Sequence, residues 1–169
     1  MGGLDKPRVL AIGGPTASGK TSLSVELAKR LNGEVICVDS MQIYRGLDVG
    51  TAKVTEEEMQ GVPHHLVGFL APEEAFSVAD FVALADRCIR DISARGKLPV
   101  LVGGTGLYME SLLCGLRFAE QKTDPAVRRK LEEQAELLGA DAMHEKLAKI
   151  DPEYAATVHP NNVGRVLRA

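Results

Sequence analysis

The chain has 169 residues, 45% hydrophobic and 25% charged, which excludes a disordered or fibrous protein and leaves enough apolar material for a core. A formal net charge of −3 supplies no global attraction for nucleic acid, so any such contact must come from a local basic patch. The odd, widely spaced Cys37, Cys88 and Cys114 exclude a disulfide framework and a metal knuckle; with no membrane-length apolar run and no secretory leader, a cytoplasmic protein is expected.

Val9-Leu10-Ala11-Ile12 is a continuous apolar run that predicts a strand buried on both faces of a parallel sheet. From Lys20 the pattern turns helical, with Leu23, Leu27 and Leu31 on one face and Asn32-Gly33 as the stop. Glu34 to Val38 predicts the next strand, ending at Asp39-Ser40, so the segment is a strand-helix-strand unit. Gly46, Gly50 and the stretch to Pro63 predict an irregular excursion long enough to be candidate substrate-binding structure. Ser77-Val78-Ala79-Asp80 is a capping box with Asp in place of Glu, opening a helix striped by Phe81, Leu84, Ala85, Cys88, Ile89 and Ile92 and ended by Gly96. Leu98 to Val102 is another buried strand, running into Gly103-Gly104-Thr105-Gly106, so two glycine-bearing turns converge on one sheet edge.

After Gly115 the composition becomes helical and charged: Asp124-Pro125 caps one helix and Ala140 to Ile150 predicts a second. Asp151-Pro152 and His159-Pro160 punctuate the exit, and a last helix starting at Asn162 runs to Ala169 without a terminator, as in a truncated chain. The expected class is α/β, a P-loop NTPase-like parallel sheet flanked by helices with a small all-helical insertion. Residues 1–118 form the expected core, 119–158 the insertion, and 159–169 the start of a helix returning to the core.

The segment Gly14-Pro15-Thr16-Ala17-Ser18-Gly19-Lys20-Thr21 fits G-x-x-x-x-G-K-[ST] between a predicted strand and a predicted helix. Its backbone N–H groups make an anion socket, Lys20 adds a cation, and Thr21 is placed to hold Mg²⁺ directly or through water. A P-loop does not name a reaction. An ATP-dependent kinase usually has an acidic residue ending a second buried strand, yet Val100 to Val102 leads into Gly103-Gly104-Thr105. Asp39 is the one acidic residue ending a buried strand; it either caps the following turn or acts as a general base facing the phosphate loop. His64 and His65 lack partners at ligand spacing and predict structural hydrogen bonds rather than a metal site; Arg128-Arg129-Lys130 predicts a solvated helix face.

Several motifs taken together resemble the tRNA dimethylallyltransferases, the IPP transferase family, over essentially the whole chain. They are Gly13 to Thr21, Val38-Asp39-Ser40-Met41-Gln42-Ile43-Tyr44-Arg45-Gly46 to Lys53, Pro63-His64-His65-Leu66, Gly103 to Tyr108, and His159-Pro160-Asn161-Asn162 through Arg165 to Arg168. The resemblance implies transfer of a dimethylallyl group from dimethylallyl diphosphate to N6 of the adenine beside the anticodon of tRNA. In that reading Lys20, Thr21, Mg²⁺ and the loop amides stabilise the departing diphosphate, and Asp39 accepts the N6 proton. Thr105 hydrogen-bonds in the reaction channel, and Ser40, Met41 and Gln42 line the adenine wall. Arg165 and Arg168 contact the tRNA backbone, and the helical insertion clasps the anticodon arm. A monomer is expected, and prenyl transfer to free adenylate is the related alternative. Many relatives carry an Asp two residues after His-His-Leu, where this chain has Gly68.

Overall fold

The computed structural model describes residues 7–115 and 124–169. Contacts divide the chain into two compact units, Met1–Phe118 and Ala119–Ala169.

The first unit is organised by β1 (Leu10–Gly13), β2 (Gly33–Cys37), β3 (His64–His65) and β4 (Leu98–Gly103), all parallel and ordered β1-β4-β2-β3. The period-two alternation of a strand sorts the side chains of β4: Val100 and Val102 face one side, Leu101 the other. On the first side they meet Val25 and Ala28 of α1 (Lys20–Arg30) together with Val35 and Val62. On the second side Ile36, Val38 and Leu101 meet Phe81, Ala85, Ile89 and Ile92 of α3 (Val78–Ala94), following the short α2 (Glu56–Met59), and Tyr108 of α4 (Gly106–Leu113). The Phe81 and Tyr108 rings stack at 4.5 Å between centroids. Burying a side chain such as Phe81 or Ile92 contributes roughly 1.5–3 kcal/mol.

The α3 start is as expected: Ser77 Oγ accepts from Asp80 N–H at 3.2 Å and Asp80 Oδ2 accepts from Ser77 N–H at 2.9 Å. Three expectations are corrected. The Leu23-Leu27-Leu31 stripe of α1 is not its core face, since Leu23 and Leu31 are each 49% exposed and Ser24, Val25 and Ala28 are buried instead. The cause is proximity: a Cβ on Gly33 would lie 3.5 Å from Ala28 Cα and 2.7 Å from Leu98 O, so only small side chains fit beneath the helix. β1 is not covered on both faces; Leu10 and Ile12 pack toward α1, but Ala11 is exposed because β1 lies at the end of the strand order. Finally, the excursion up to Pro63 is not wholly irregular, since it carries α2, capped by Thr55; beyond it, His64–His65 adds a strand paired with Val35 and Ile36.

Glu34, on β2, is 2% exposed and is the one buried acid among the described residues. Arg95 grips both carboxylate oxygens, Lys97 Nζ lies at 2.7 Å and His65 Nε2 at 2.7 Å. Such a carboxylate is tolerable inside only because every lone-pair direction meets a donor.

The second unit holds α5 (Pro125–Leu138), α6 (Ala140–Ile150), α7 (Pro152–Ala155) and α8 (Val163–Val166). Asp124 caps α5 by accepting from Ala126 N–H at 2.9 Å. Met143, Leu147, Ala155, Val158 and Val166 form its core, so the segment expected from Asn162 to Ala169 contributes one helical turn that packs Val166 there. Among the described residues no helix is long and apolar enough to cross a membrane.

Glu34 generates a pH prediction. The Arg95 guanidinium, opposed by burial and aided by Lys97 and His65, holds its carboxyl far below the ordinary 4.5. Below about pH 4.5 the unfolded chain therefore binds a proton that the folded chain refuses, so this stabilisation is complete above that range and lost as pH falls through it. Glu34→Gln should lower the unfolding midpoint at pH 7 and flatten its decline between pH 5 and pH 3, as followed by thermal melts; an unchanged acid slope would refute the assignment.

Candidate active site

The phosphate loop is built by the switch from β1 to α1. Ala17 at φ +63° and Gly19 at φ +81° bend the chain through the left-handed region, so successive N–H groups can converge on one point at the α1 N-terminus. Lys20 Nζ donates to Pro15 O at 2.5 Å, which folds the side chain back over the loop.

Asp39 follows β2 at the same edge of the sheet. Its Oδ1 accepts from Met41 N–H at 2.8 Å and Gln42 N–H at 3.2 Å, so the turn-capping role read from the sequence is realised. Oδ2 has no hydrogen-bond partner among the described residues and is left for the cleft, so the capping role does not compete with a chemical one. Thr105, after β4, accepts at Oγ1 from Ser40 N–H at 3.1 Å, which ties the Asp39 turn to the Gly103-Gly104 turn. The approach is close: a Cβ on Gly103 would lie 1.9 Å from Val38 O, and one on Gly104 would lie 3.4 Å from Gly14 O. Three turns, after β1, β2 and β4, are therefore packed backbone to backbone.

The cleft between them is lined by Thr16, Ala17, Lys20, Thr21, Asp39, Gln42, Gly103 and Gly104 from those turns. Ser18 and Gly19 lie on an adjoining outer concavity, while Ser40, Met41 and Thr105 flank the cleft without lining it; Met41 is 49% exposed. Arg165 and Arg168 are exposed and belong to the second unit. The cleft also contains Thr51, Ala52 and Val54 of the excursion read as candidate substrate-binding structure, His64, which the sequence assigned to structural hydrogen bonding, and Ser24, Val35, Cys37 and Val102, which it did not mark for the site. Thr51 to Val54 lie in the long excursion, and Gln42 Nε2 holds that segment by donating to Thr51 O at 3.1 Å and Ala52 O at 3.2 Å. The excursion is anchored elsewhere by Lys53, whose Nζ donates to Tyr44 O at 2.6 Å and meets Asp48 Oδ1 at 2.5 Å. A Cβ on Gly68 would lie 3.5 Å from that Nζ, so a side chain there would stand beside an ammonium that Asp48 engages.

Burial, with the Asp39 charge adding to it, pushes the Cys37 thiol up to about 12, so it remains a neutral donor to Gln42 Oε1 at 3.4 Å. Burial pushes His64 down, and the ring stays neutral. Among the described residues no three His, Cys, Asp or Glu side chains gather to hold a metal. Thr21 in the cleft fits Mg²⁺ nonetheless, because that ion is commonly held by few protein oxygens plus substrate phosphates and water.

A family model described as IPP transferase matches residues 42–169, and one described as isopentenyl transferase matches residues 7–67. The chain belongs to the IPP transferase family. Within that family, tRNA dimethylallyltransferases of Bacillus subtilis and Halalkalibacterium halodurans are 55% and 56% identical to it over 164 residues, 97% of this chain and 52% of theirs. The full-length tRNA isopentenylpyrophosphate transferase of Bacillus halodurans superimposes with a TM-score of 0.67 at 55% identity, over 96% of this chain and 54% of that one. A eukaryotic dimethylallyltransferase, solved acting on tRNA, superimposes with a TM-score of 0.75 at 35% identity, over 95% and 40%. This IPP transferase chain thus spans about half the length of the curated relatives it matches, and shares the P-loop NTPase-like fold expected from its sequence.

The turn packing is testable apart from any chemistry. Gly103→Ala should destabilise the first unit by about 3 kcal/mol, since the new methyl has only backbone to displace. A chemical-denaturation midpoint within error of the parent would refute the crossing.

Proposed function

We propose that the protein of this chain transfers a dimethylallyl group from dimethylallyl diphosphate to N6 of the adenine 3′-adjacent to the anticodon of tRNA, releasing diphosphate. The observation that carries the reading is the unpartnered Asp39 Oδ2 in one cleft with Lys20 and Thr21, at a sheet edge where β4 offers no second acid. Family membership and the names of the relatives support it.

The diphosphate occupies the turn from Gly14 to Thr21, where loop amides and the α1 N-terminus meet its charge. Lys20 leaves Pro15 O for a phosphate oxygen. When bound beside Thr21, Mg²⁺ supplies further positive charge to the leaving oxygens. The exocyclic N6 attacks the allylic carbon: the N6–C bond forms, the C–O bond to diphosphate breaks, and the electron pair leaves on the bridging oxygen. The N6 proton passes to Asp39 Oδ2, while the two backbone N–H bonds on Oδ1 fix the carboxylate plane. Thr105 keeps the Asp39 turn in register through Ser40 N–H, and Met41 and Gln42 stand where an adenine entering past that turn would meet them. Arg165 and Arg168 take tRNA phosphates, and the second unit clasps the anticodon arm. The protein acts as a cytoplasmic monomer in this reading. An ATP-dependent kinase is the weaker reading, because β4 ends in Gly103-Gly104-Thr105 where a metal-holding acid would be needed.

Labelled dimethylallyl diphosphate with Mg²⁺ and either tRNA, AMP or neither tests the reading: label should enter tRNA. Label only in AMP would reject the tRNA assignment, and γ-phosphate transfer from ATP would reject prenyl transfer. Asp39→Ala should cut transfer at least about 100-fold while diphosphate binding persists.

A further inference from the structure

From Asp39 the cleft runs down along β2, away from the sheet edge. Cys37 and Val35 follow on one strand face, Val102 pairs in register with Cys37, and His64 pairs in register with Val35. All four line the cleft, with Ser24 from the second turn of α1 and Val54 from the excursion. Val35 and His64 therefore lie deepest.

Charge is confined to the other end. Lys20 and Asp39, the charged side chains of the cleft, belong to the turns at the sheet edge. The polar side chains at depth are engaged or covered. The Ser24 hydroxyl donates to Thr21 O at 2.7 Å, and the neutral Cys37 thiol donates to Gln42 Oε1 at 3.4 Å. Burial keeps His64 neutral; its Nδ1 lies 2.8 Å from Val62 O, and its Nε2 is itself buried. A polar guest would shed water there without gaining partners, whereas an apolar one loses nothing.

The proposed chemistry needs such a place, since the loop takes the diphosphate and Asp39 takes the adenine nitrogen, yet the prenyl chain has still to be sheltered from water. The space is also limited. The cleft encloses about 120 Å³, and an apolar cavity of roughly 150 Å³ takes up the six carbons of benzene. One five-carbon chain fits by that measure, and a ten-carbon chain does not.

Resting on the proposed function, we propose that the deep end of the cleft is a chamber that sets the length of the transferred chain at five carbons, with Val35 and His64 as its end wall and Val54 closing it from the excursion. The substrate class is thereby restricted to short allylic diphosphates.

The full chain with Mg²⁺ is titrated calorimetrically with methyl, dimethylallyl and geranyl diphosphate, which share one head and differ in chain. Dimethylallyl diphosphate should bind at least about 10-fold tighter than methyl diphosphate, and geranyl diphosphate at least about 10-fold weaker than dimethylallyl. His64→Ala, which removes part of the end wall, should raise the ratio of geranyl to dimethylallyl affinity about 10-fold. Val54→Phe, which fills the chamber, should erase the advantage of dimethylallyl over methyl. Ratios between ligands of one head are unmoved by a loss of folded protein, and should one variant not fold, the other decides. If the parent binds methyl or geranyl diphosphate as tightly as dimethylallyl, or if a folded variant keeps the parent's ratios, the chamber is overturned and the functional reading survives. If the parent binds none of the three, the functional reading and this inference both fall.

Discussion

At the C-terminal edge of the sheet the backbone of Gly103 passes so close to Val38 that a Cβ would lie 1.9 Å from its carbonyl oxygen. Everything chemical in the molecule depends on that crossing. Val38 N–H donates to Val102 O at 2.7 Å just before it, and Ser40 N–H donates to Thr105 Oγ1 at 3.1 Å just after it. The turn carrying Asp39 is therefore clamped on both sides of the contact. Gly104 in turn approaches Gly14 O, so the phosphate loop is set against the same clamp. The Asp39 carboxylate and the turn from Gly14 to Thr21 are thus held at one cleft by main chain, whose positions vary far less than those of side chains.

The first unit divides its polar groups between stability and chemistry. Near the start of β2, Glu34 is fully engaged by Arg95, Lys97 and His65. At the other end of the same strand, Asp39 uses one oxygen for its turn and keeps the other. Both are carboxylates on one short strand path, and what separates their uses is how many donors the fold has assigned to each. The two histidines of β3 show the same split: His65 belongs to the Glu34 cluster, and His64 lines the cleft.

How much of this was legible in the sequence varies by element, for physical reasons. The phosphate loop was readable because G-x-x-x-x-G-K-[ST] specifies backbone conformation, and Gly19 adopts the positive φ such a loop needs. The Ser77-Asp80 box was readable because its partners are three residues apart. The α1 face was misread because leucine spacing reports amphipathicity and not clearance; the meeting of Gly33 with Leu98 O helps decide how near the helix comes, and Leu98 is far away in sequence. β1 was misread because an apolar run cannot reveal that its strand ends the order of the sheet. β3 was invisible at two residues, too short for any period. The same shortness hid His64, whose only signal was the repeated His-His, and Glu34, whose partners lie 31 to 63 residues away.

The self-contact of Lys20 with Pro15 O carries a thermodynamic consequence. An ammonium held by a carbonyl is already partly stripped of water, so an arriving anion exchanges one acceptor for another instead of dehydrating a free cation. Selectivity then rests on the difference between two acceptors. A neutral oxygen barely improves on Pro15 O, whereas an anionic one does, because a charge-assisted hydrogen bond is the stronger. The loop thus carries its own weak competitor for the ammonium, the Pro15 carbonyl, against which any other acceptor is weighed.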